Sequence, residues 1–339
     1  MIWYQLTDSG LLRLSQQGEQ SQPLSETASH TADQTANQST ATIPITSPVA
    51  AEVIPQLRAL AYGDGFFTTM GVHHGQLQWQ TYHQQRLQHH CQALHLNYSS
   101  HTEQLLWSSA KQLAKEAKHG IVKVIVSRQS QPLRGYAYHP NVIHNGCLIW
   151  LGVAASALLA EQYASFLQSH TTQSALAQNV LQQVPITAIC LQSQLASLPK
   201  PLAGLKSLNR LDGVMAAGEL QRLKQIHPEV AEGLVADMSG NWTEGVMSNV
   251  FYQLRPDEAT WYTPPIDAAG VKGVMRQVII DQLAVQGRPV VERALRDEDL
   301  SAISAMFFCN AVRGVIPVRE LIVADQRLAL STSIYSISG

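Results

Sequence analysis

The sequence lacks the marks of several large function classes. It has little charge, 14% Asp, Glu, Lys and Arg, and the signs nearly cancel at a formal net charge of −2. No basic tract or aromatic–basic stripe is present, so nucleic acid is not an expected partner. No uninterrupted apolar run approaches the ~18 residues that cross a bilayer, so no membrane span is expected. The opening "MIWYQLTDSGLLRL" has no basic region followed by an apolar stretch and a small-residue cleavage site. It does not read as a signal peptide, and a cytoplasmic location is the expectation. Cysteine is scarce: Cys91, Cys147, Cys190 and Cys309 are far apart and form no CxxC pair, which reads as reduced, structural thiols. There is no HExxH and no Cys/His cluster. The pairs His73-His74 and His89-His90 would face opposite ways in a strand, so no metal site is expected. GxSxG, Walker and GxGxxG patterns are absent as well.

What is present is a chain of 339 residues, 45% of them hydrophobic, enough for one large domain or two ordinary ones. Residues 16–50 are a Gln/Ser/Thr/Ala tract with little to bury, and read as a disordered insertion. From "YGDGFFTTMGV" onward, order resumes. The Gly63–Gly65 turn leads into a strand, and "HHGQLQW" turns it back as a hairpin. Helical spacing follows in "YHQQRLQHHCQALHL" and in "TEQLLWSSAKQLAKEAKHG", then strands in "IVKVIVSR" and "GCLIWLGVA". This makes residues 1–153 a small α+β unit, 154–170 a connection, and 171–339 a larger α+β unit. In the second unit, "SLNRLDGVMAAGELQRLKQI" is helical with Leu208, Leu211 and Met215 on one side. "EGLVADMSGNWTEGVMSNVFYQL" reads as strand, turn, strand. "VKGVMRQVIIDQLAVQG" is a glycine-opened helix, and "AISAMFFCNAVRGVIPV" two strands joined by a loop.

Several residues could carry chemistry. Lys206 lies among apolar neighbours at the mouth of a strand. Turned outward it would snorkel to water. Turned inward, its ammonium is costly to bury and its pKa falls, which makes a usable amine. Glu244 is either an exposed turn residue or a carboxylate facing a cofactor cation. The helix opened by Gly273 leaves unpaired N–H groups at its positive end, a ready anion site. Arg86 sits inside a helix. Arg128 and Arg134 follow a strand on a Gly/Pro-containing loop and could grip carboxylates.

The order of these signals, together with "YGDGFFTT", "HQQRLQ", "KVIVSR", "RGYAY", "GLKSLNRLD", "TEGVMSNVF", "GVKGVMRQ" and "FFCNAV", resembles the fold-type IV pyridoxal-phosphate enzymes. That group holds the D-amino-acid and branched-chain aminotransferases and the aminodeoxychorismate lyases. The resemblance runs from about residue 55 onward, and "KSLNRL" with "RGY" favours the lyases. It implies an α+β fold of two domains, the cofactor pyridoxal 5'-phosphate in the cleft between them, and a homodimer. It implies that Lys206 bonds the cofactor aldehyde and serves as base, with Thr69 in support. Glu244 would pair with the pyridine nitrogen. Arg86, the N–H groups of Val274 and Met275 after Gly273, and Asn310 would hold the phosphate. Arg134, Tyr136 and Arg128 would meet substrate carboxylates.

The activity implied is conversion of 4-amino-4-deoxychorismate to 4-aminobenzoate and pyruvate, a step towards folate. Aminodeoxychorismate synthase is then a candidate partner. An aminotransferase is the alternative, with the same Lys206 and Glu244; a non-catalytic binding protein on the same fold is a third. The sequence departs from the pattern at Gly71, where many relatives have an arginine, and in the tract 16–50.

Overall fold

The computed structural model describes residues 1–14, 45–46, 57–140, 146–169, 180–255 and 260–333. Two sheets organise them. The first half runs β1 (Ile2–Thr7), β2 (Gly10–Arg13), β3 (Ile45–Thr46), α1 (Arg58–Tyr62), β4 (Gly65–His73), β5 (Gln76–Leu77), α2 (Gln80–Ala93), α3 (Ser100–Ala117), β6 (Gly120–Arg128), β7 (Cys147–Ala155) and α4 (Ala157–Ser169). Its seven strands lie in the order β3-β2-β1-β7-β6-β4-β5. The pleat of β4 and β6 sorts their side chains by parity. Phe66, Met70, Val72, Val122, Val124 and Val126 point into a core with Leu106, Ala110 and Leu113 of α3. These three recur at spacings of four and three, and Ser99 caps the helix by accepting the Thr102 N–H at 3.1 Å. Phe67, Thr69 and Gly71 of β4, with Ile121, Lys123 and Ile125 of β6, take the other face.

The second half runs β8 (Ile186–Leu195), α5 (Leu211–Ile226), β9 (Val230–Asp237), β10 (Trp242–Gly245), β11 (Asn249–Gln253), β12 (Tyr262–Thr263), α6 (Val274–Val285), β13 (Val291–Glu292), α7 (Asp297–Leu300), β14 (Ala305–Asn310), β15 (Gly314–Val323) and β16 (Gln326–Ala329). The strand path is β10-β9-β8-β15-β14-β11-β12-β13, with β16 on β15. A further pairing of β10 with β11, Glu244 opposite Asn249, closes the central strands into a ring.

Three expectations are revised here. Of the tract 16–50, Ile45–Thr46 is described and forms a strand parallel to β2; the rest lies outside the described residues. The stretch 154–170 is not a plain connection, because Val153 to Ala155 end β7 and Ala157–Ser169 is helical. The start of that helix packs on the first sheet, where Tyr163 stacks on His73 at 4.3 Å. Third, α5 buries a different face from the one expected. Ala216 and Leu220 pack against β8 and β9, whereas Leu211 and Met215 are 76% and 66% exposed. The helix was legible, but its buried face was not.

Candidate active site

Lys206 lies on an extended link before α5 rather than in a strand. The link is tied to β4: the Phe67 N–H donates to the Lys206 carbonyl at 3.0 Å, and the Leu208 N–H to the Gly65 carbonyl at 3.0 Å. It therefore joins the two halves across a cavity of about 510 Å³. The side chain points inward, and Nζ stands 4.7 Å from the centre of the Phe67 ring. Burial pushes its pKa down from 10.5 to about 8; Arg86, Arg210 and Lys123 push the same way, and Glu244 opposes them. A cation–π contact recovers only ~0.5–2 kcal/mol, too little to restore an ordinary lysine. The amine is thus within reach of its neutral form near physiological pH.

Glu244, 6% exposed on β10, faces the same cavity. Oε2 accepts the Val271 N–H at 2.8 Å and Asn249 Nδ2 at 3.3 Å, and Oε1 accepts Arg210 Nη2 at 3.3 Å. Burial raises its pKa, while Arg210, the Val271 N–H and Lys206 favour the carboxylate. Gly270 has φ +82°, and a Cβ there would sit 3.0 Å from Glu244 Oε2. That close approach needs glycine.

The anion end is built from α6 and α2. Gly273 caps α6 without a side-chain bond, so the first N–H groups have no capping acceptor. A Cβ on Gly273 would collide with Asn249 Oδ1. Arg86 of α2 is 9% exposed and Nη2 donates to the Lys272 carbonyl at 2.7 Å. Burial lowers its pKa to about 10. Among the described residues no carboxylate forms an ion pair with it. A buried guanidinium without a counter-charge is costly, and a phosphate would supply one. Gly273, Val274 and Asn310 line the cavity. Met275 does not, and its side chain is 1% exposed in the core, so only its backbone could serve an anion. The Asn310 carboxamide is already bonded, accepting the Val312 and Arg313 N–H groups at 3.1 and 2.8 Å and donating to the Met247 carbonyl at 3.3 Å. It shapes the wall.

Comparison with known proteins bears on this cleft. Residues 65–321 match the family model of amino-transferase class IV. The chain belongs to that family. It is 25% identical over 272 residues to an aminodeoxychorismate lyase of Vibrio harveyi, covering 80% of this chain and 88% of that protein. The crystal structure of 4-amino-4-deoxychorismate lyase from Pseudomonas aeruginosa matches with a TM-score of 0.66 at 28% identity, covering 84% of this chain and 92% of that one. A branched-chain aminotransferase from Thermoproteus uzoniensis shares the fold, with a TM-score of 0.61 at 17% identity over 81% of this chain and 82% of its own. Class IV enzymes depend on pyridoxal phosphate, and the cofactor of this chain is pyridoxal phosphate. The site suits it: an inward amine, the buried carboxylates of Glu244 and Glu232, a buried arginine without a counter-charge and an uncapped helix start surround a single cavity.

In this class IV chain Thr69 lines the cavity beside Phe67. Lys123, opposite Thr69 on β6, was missed from the sequence. Its Nζ stands 4.4 Å from the Phe67 ring centre, and burial lowers its pKa. The signal was available, since alternation in "KVIVSR" puts Lys123 opposite the core valines. Arg210, the partner of Glu244, was missed too. At Gly71, a Cβ would lie 3.2 Å from the Ala311 carbonyl, so the turn after β14 closes against the strand there.

Arg128 is corrected. It is 4% exposed; Nε donates to Asp64, and Nη1 and Nη2 donate to the His95 and Leu94 carbonyls at 3.2 and 2.6 Å. Its guanidinium covers the Tyr138 ring at 3.8 Å. It is committed to the scaffold and does not line the cavity. Arg134 and Tyr136 do not line it either; both are exposed, Tyr136 at 80%. Their loop is held from beneath by Arg58, which donates to the Gly135, Tyr136 and Ala137 carbonyls at 3.2, 3.1 and 3.3 Å and, through Nε, to Asp64 at 2.7 Å. No three His, Cys, Asp or Glu side chains among the described residues are placed to hold a metal. No described helix is long and apolar enough to cross a membrane.

Proposed function

We propose that the chain converts 4-amino-4-deoxychorismate to 4-aminobenzoate and pyruvate. The observation that carries the reading is the amine of Lys206, buried in a cleft that Phe67, Thr69 and Glu244 also line; similarity to lyases 25–28% identical over most of the chain supports it. Pyridoxal phosphate, when bound, supplies an electron sink for the carbon bearing the substrate nitrogen. Lys206 removes the proton from that carbon. The enolpyruvyl group leaves with its bonding electron pair, takes up a proton from Lys206, and becomes pyruvate as the ring aromatises. No water is consumed, and the two products contain all the atoms of the substrate. Thr69 borders the amine and orients the reacting group. Glu244, held as a carboxylate by Arg210, faces the cofactor nitrogen. Arg86 and the start of α6, including Val274 and Met275, hold the phosphate.

The substrate carries two carboxylates. Arg313, which lines this cleft on the turn after β14, is the cation it offers where Gly71 replaces the usual arginine, with Lys123 over the Phe67 ring. Arg134 and Tyr136 would contribute only from a partner subunit, and we read the chain as a homodimer. Leu211, Val214, Met215 and Met247, each more than 60% exposed, make an apolar rim that such a partner would cover. The substrate's supplier would be an aminodeoxychorismate synthase.

The test is product formation from 4-amino-4-deoxychorismate with wild type and Lys206→Ala side by side. The expected outcome is 4-aminobenzoate and pyruvate in equal amounts from wild type, with loss of at least about a thousandfold in the variant. A cofactor-loaded wild type that yields neither overturns the lyase reading. Keto-acid formation from D- or branched-chain amino acids by that same protein would favour the aminotransferase, which needs the same Lys206 and Glu244.

A further inference from the structure

The backbone of Lys206 is restrained in two ways, and one of them is unusual. Its carbonyl accepts from Phe67, as strand pairing would have it. Its own N–H donates to a side chain, Nε2 of His90, at 2.9 Å. A backbone N–H in so dry a place needs an acceptor, and here α2 provides it. His90 stands one helical turn beyond Arg86, so one face of α2 presents the phosphate arginine and the contact to the lysine. The ring is 3% exposed and meets Phe66 edge-on at 5.0 Å between centres.

The bond fixes the tautomer. For Nε2 to accept, the ring proton must be on Nδ1, which lies 3.5 Å from Nδ1 of the exposed His89. A second proton would turn Nε2 into a donor and set it against the Lys206 N–H. Burial, reinforced by the charges of Arg86, His89 and Lys206, prevents this by pushing the His90 pKa down to about 3. The acceptor is therefore constant across any working pH. Lys206 has four side-chain torsions, and its amine must reach more than one atom of the reacting centre. A backbone origin held at both carbonyl and N–H narrows where that amine can go.

We propose that His90 is a positioning residue for Lys206: its neutral imidazole holds the lysine's amide and so aims the side chain into the cleft. This rests on the reading of Lys206 as the cofactor-bearing lysine.

The experiment uses the full chain with three variants. His90→Leu keeps bulk and removes the acceptor. His90→Gln can place Oε1 near the position of Nε2. His90→Asn is too short to do so. Three quantities are measured: the rate at which added pyridoxal phosphate becomes fixable to Lys206 by borohydride, counted by mass spectrometry; the pH midpoint of the bound cofactor's absorption band; and kcat against KM. For His90→Leu the expected result is a fall of about tenfold in labelling rate and kcat, a displaced midpoint and an unchanged KM. His90→Gln should recover both rates to within about threefold. A wild-type midpoint and rate in His90→Leu overturns the proposal, as does equal impairment of Leu and Gln variants, which would reduce His90 to packing. Should His90→Leu fail to fold, Gln against Asn decides: Gln near wild type with Asn impaired supports the proposal, and equal behaviour overturns it. Wild-type protein that never carries cofactor on Lys206 overturns the functional reading itself, and this inference with it.

Discussion

Lys206 is poised by opposition. Burial and three cations disfavour its ammonium, while the Glu244 carboxylate favours it. Glu244→Gln removes the carboxylate that stabilises the charge. In cofactor-free protein, the pH midpoint for modification of Lys206 by an amine reagent, near 8 in wild type, should therefore fall, by about one pH unit. A rise would show that Glu244 does not act on the amine through its charge. The sign for stability follows from the same shift. Between pH 8 and 10.5 the unfolded chain binds the Lys206 proton and the folded chain does not, so this residue's contribution weakens as pH falls through that window. The residue types were legible in the sequence: Lys206, Glu244, Arg86 and Thr69 all reach the cavity. Arg128 was misread because a loop arginine after a strand looks solvated. Only the folded chain reveals the carbonyls of Leu94 and His95 and the Asp64 carboxylate that occupy it.

Among the elements, the start of α6, proposed to hold the phosphate, consists of little: a glycine with extended backbone, an uncapped first turn, and an apolar face to fix the axis. Gly273→Ala drives a methyl group into Asn249, whose amide also contacts Glu244 and Val271. Cofactor affinity should drop by about tenfold or more, read by fluorescence titration, with the helix itself retained by circular dichroism. Unchanged affinity would mean that Asn249 can move aside freely. Helices α2, α3, α5 and α6 and most strands declared themselves by periodicity, whereas α4 was hidden in a stretch that reads as a connection. The inward face of α5 did not, because large apolar residues at a spacing of four normally mark a core. Here the sheet takes Ala216, Leu220 and part of Leu223, and the face with Leu211 and Met215 is turned outward. The Lys206 link misled in a related way. Its apolar neighbours suggested the mouth of a strand for Lys206, yet the link is held by isolated bridges at Gly204 and Ser207.

At the scale of the molecule, the two sheets meet at one cleft, and residues more than 200 positions apart share its walls. Sequence order placed them on the right elements; only folding showed that Arg134 and Tyr136 stand outside this chain's own cavity. A homodimer accounts for both the exposed loop and the apolar rim. Replacing Leu211 and Met215 together by Ser should shift the equilibrium towards monomer by at least about tenfold, measured by sedimentation velocity. A wild-type protein that sediments as a monomer at micromolar concentration would refute the dimer.

Arg58 grips its loop only through the carbonyl oxygens of residues 135, 136 and 137, a feature that every amino acid possesses. Asp64 then ties that guanidinium to Arg128. The anchor is thus blind to most of the letters written on the loop; the exception is Tyr136, whose ring lies 4.9 Å from that of Tyr62, which Arg58 covers. Mutation can rewrite the tip at Arg134 while the foundation below stays put, and at Tyr136 with the loss of one ring contact to Tyr62. If the loop meets substrate from a partner subunit as proposed, one scaffold can in this way carry different substrate tastes through descent, and a library confined to those two codons would explore them with the carbonyl anchor left in place.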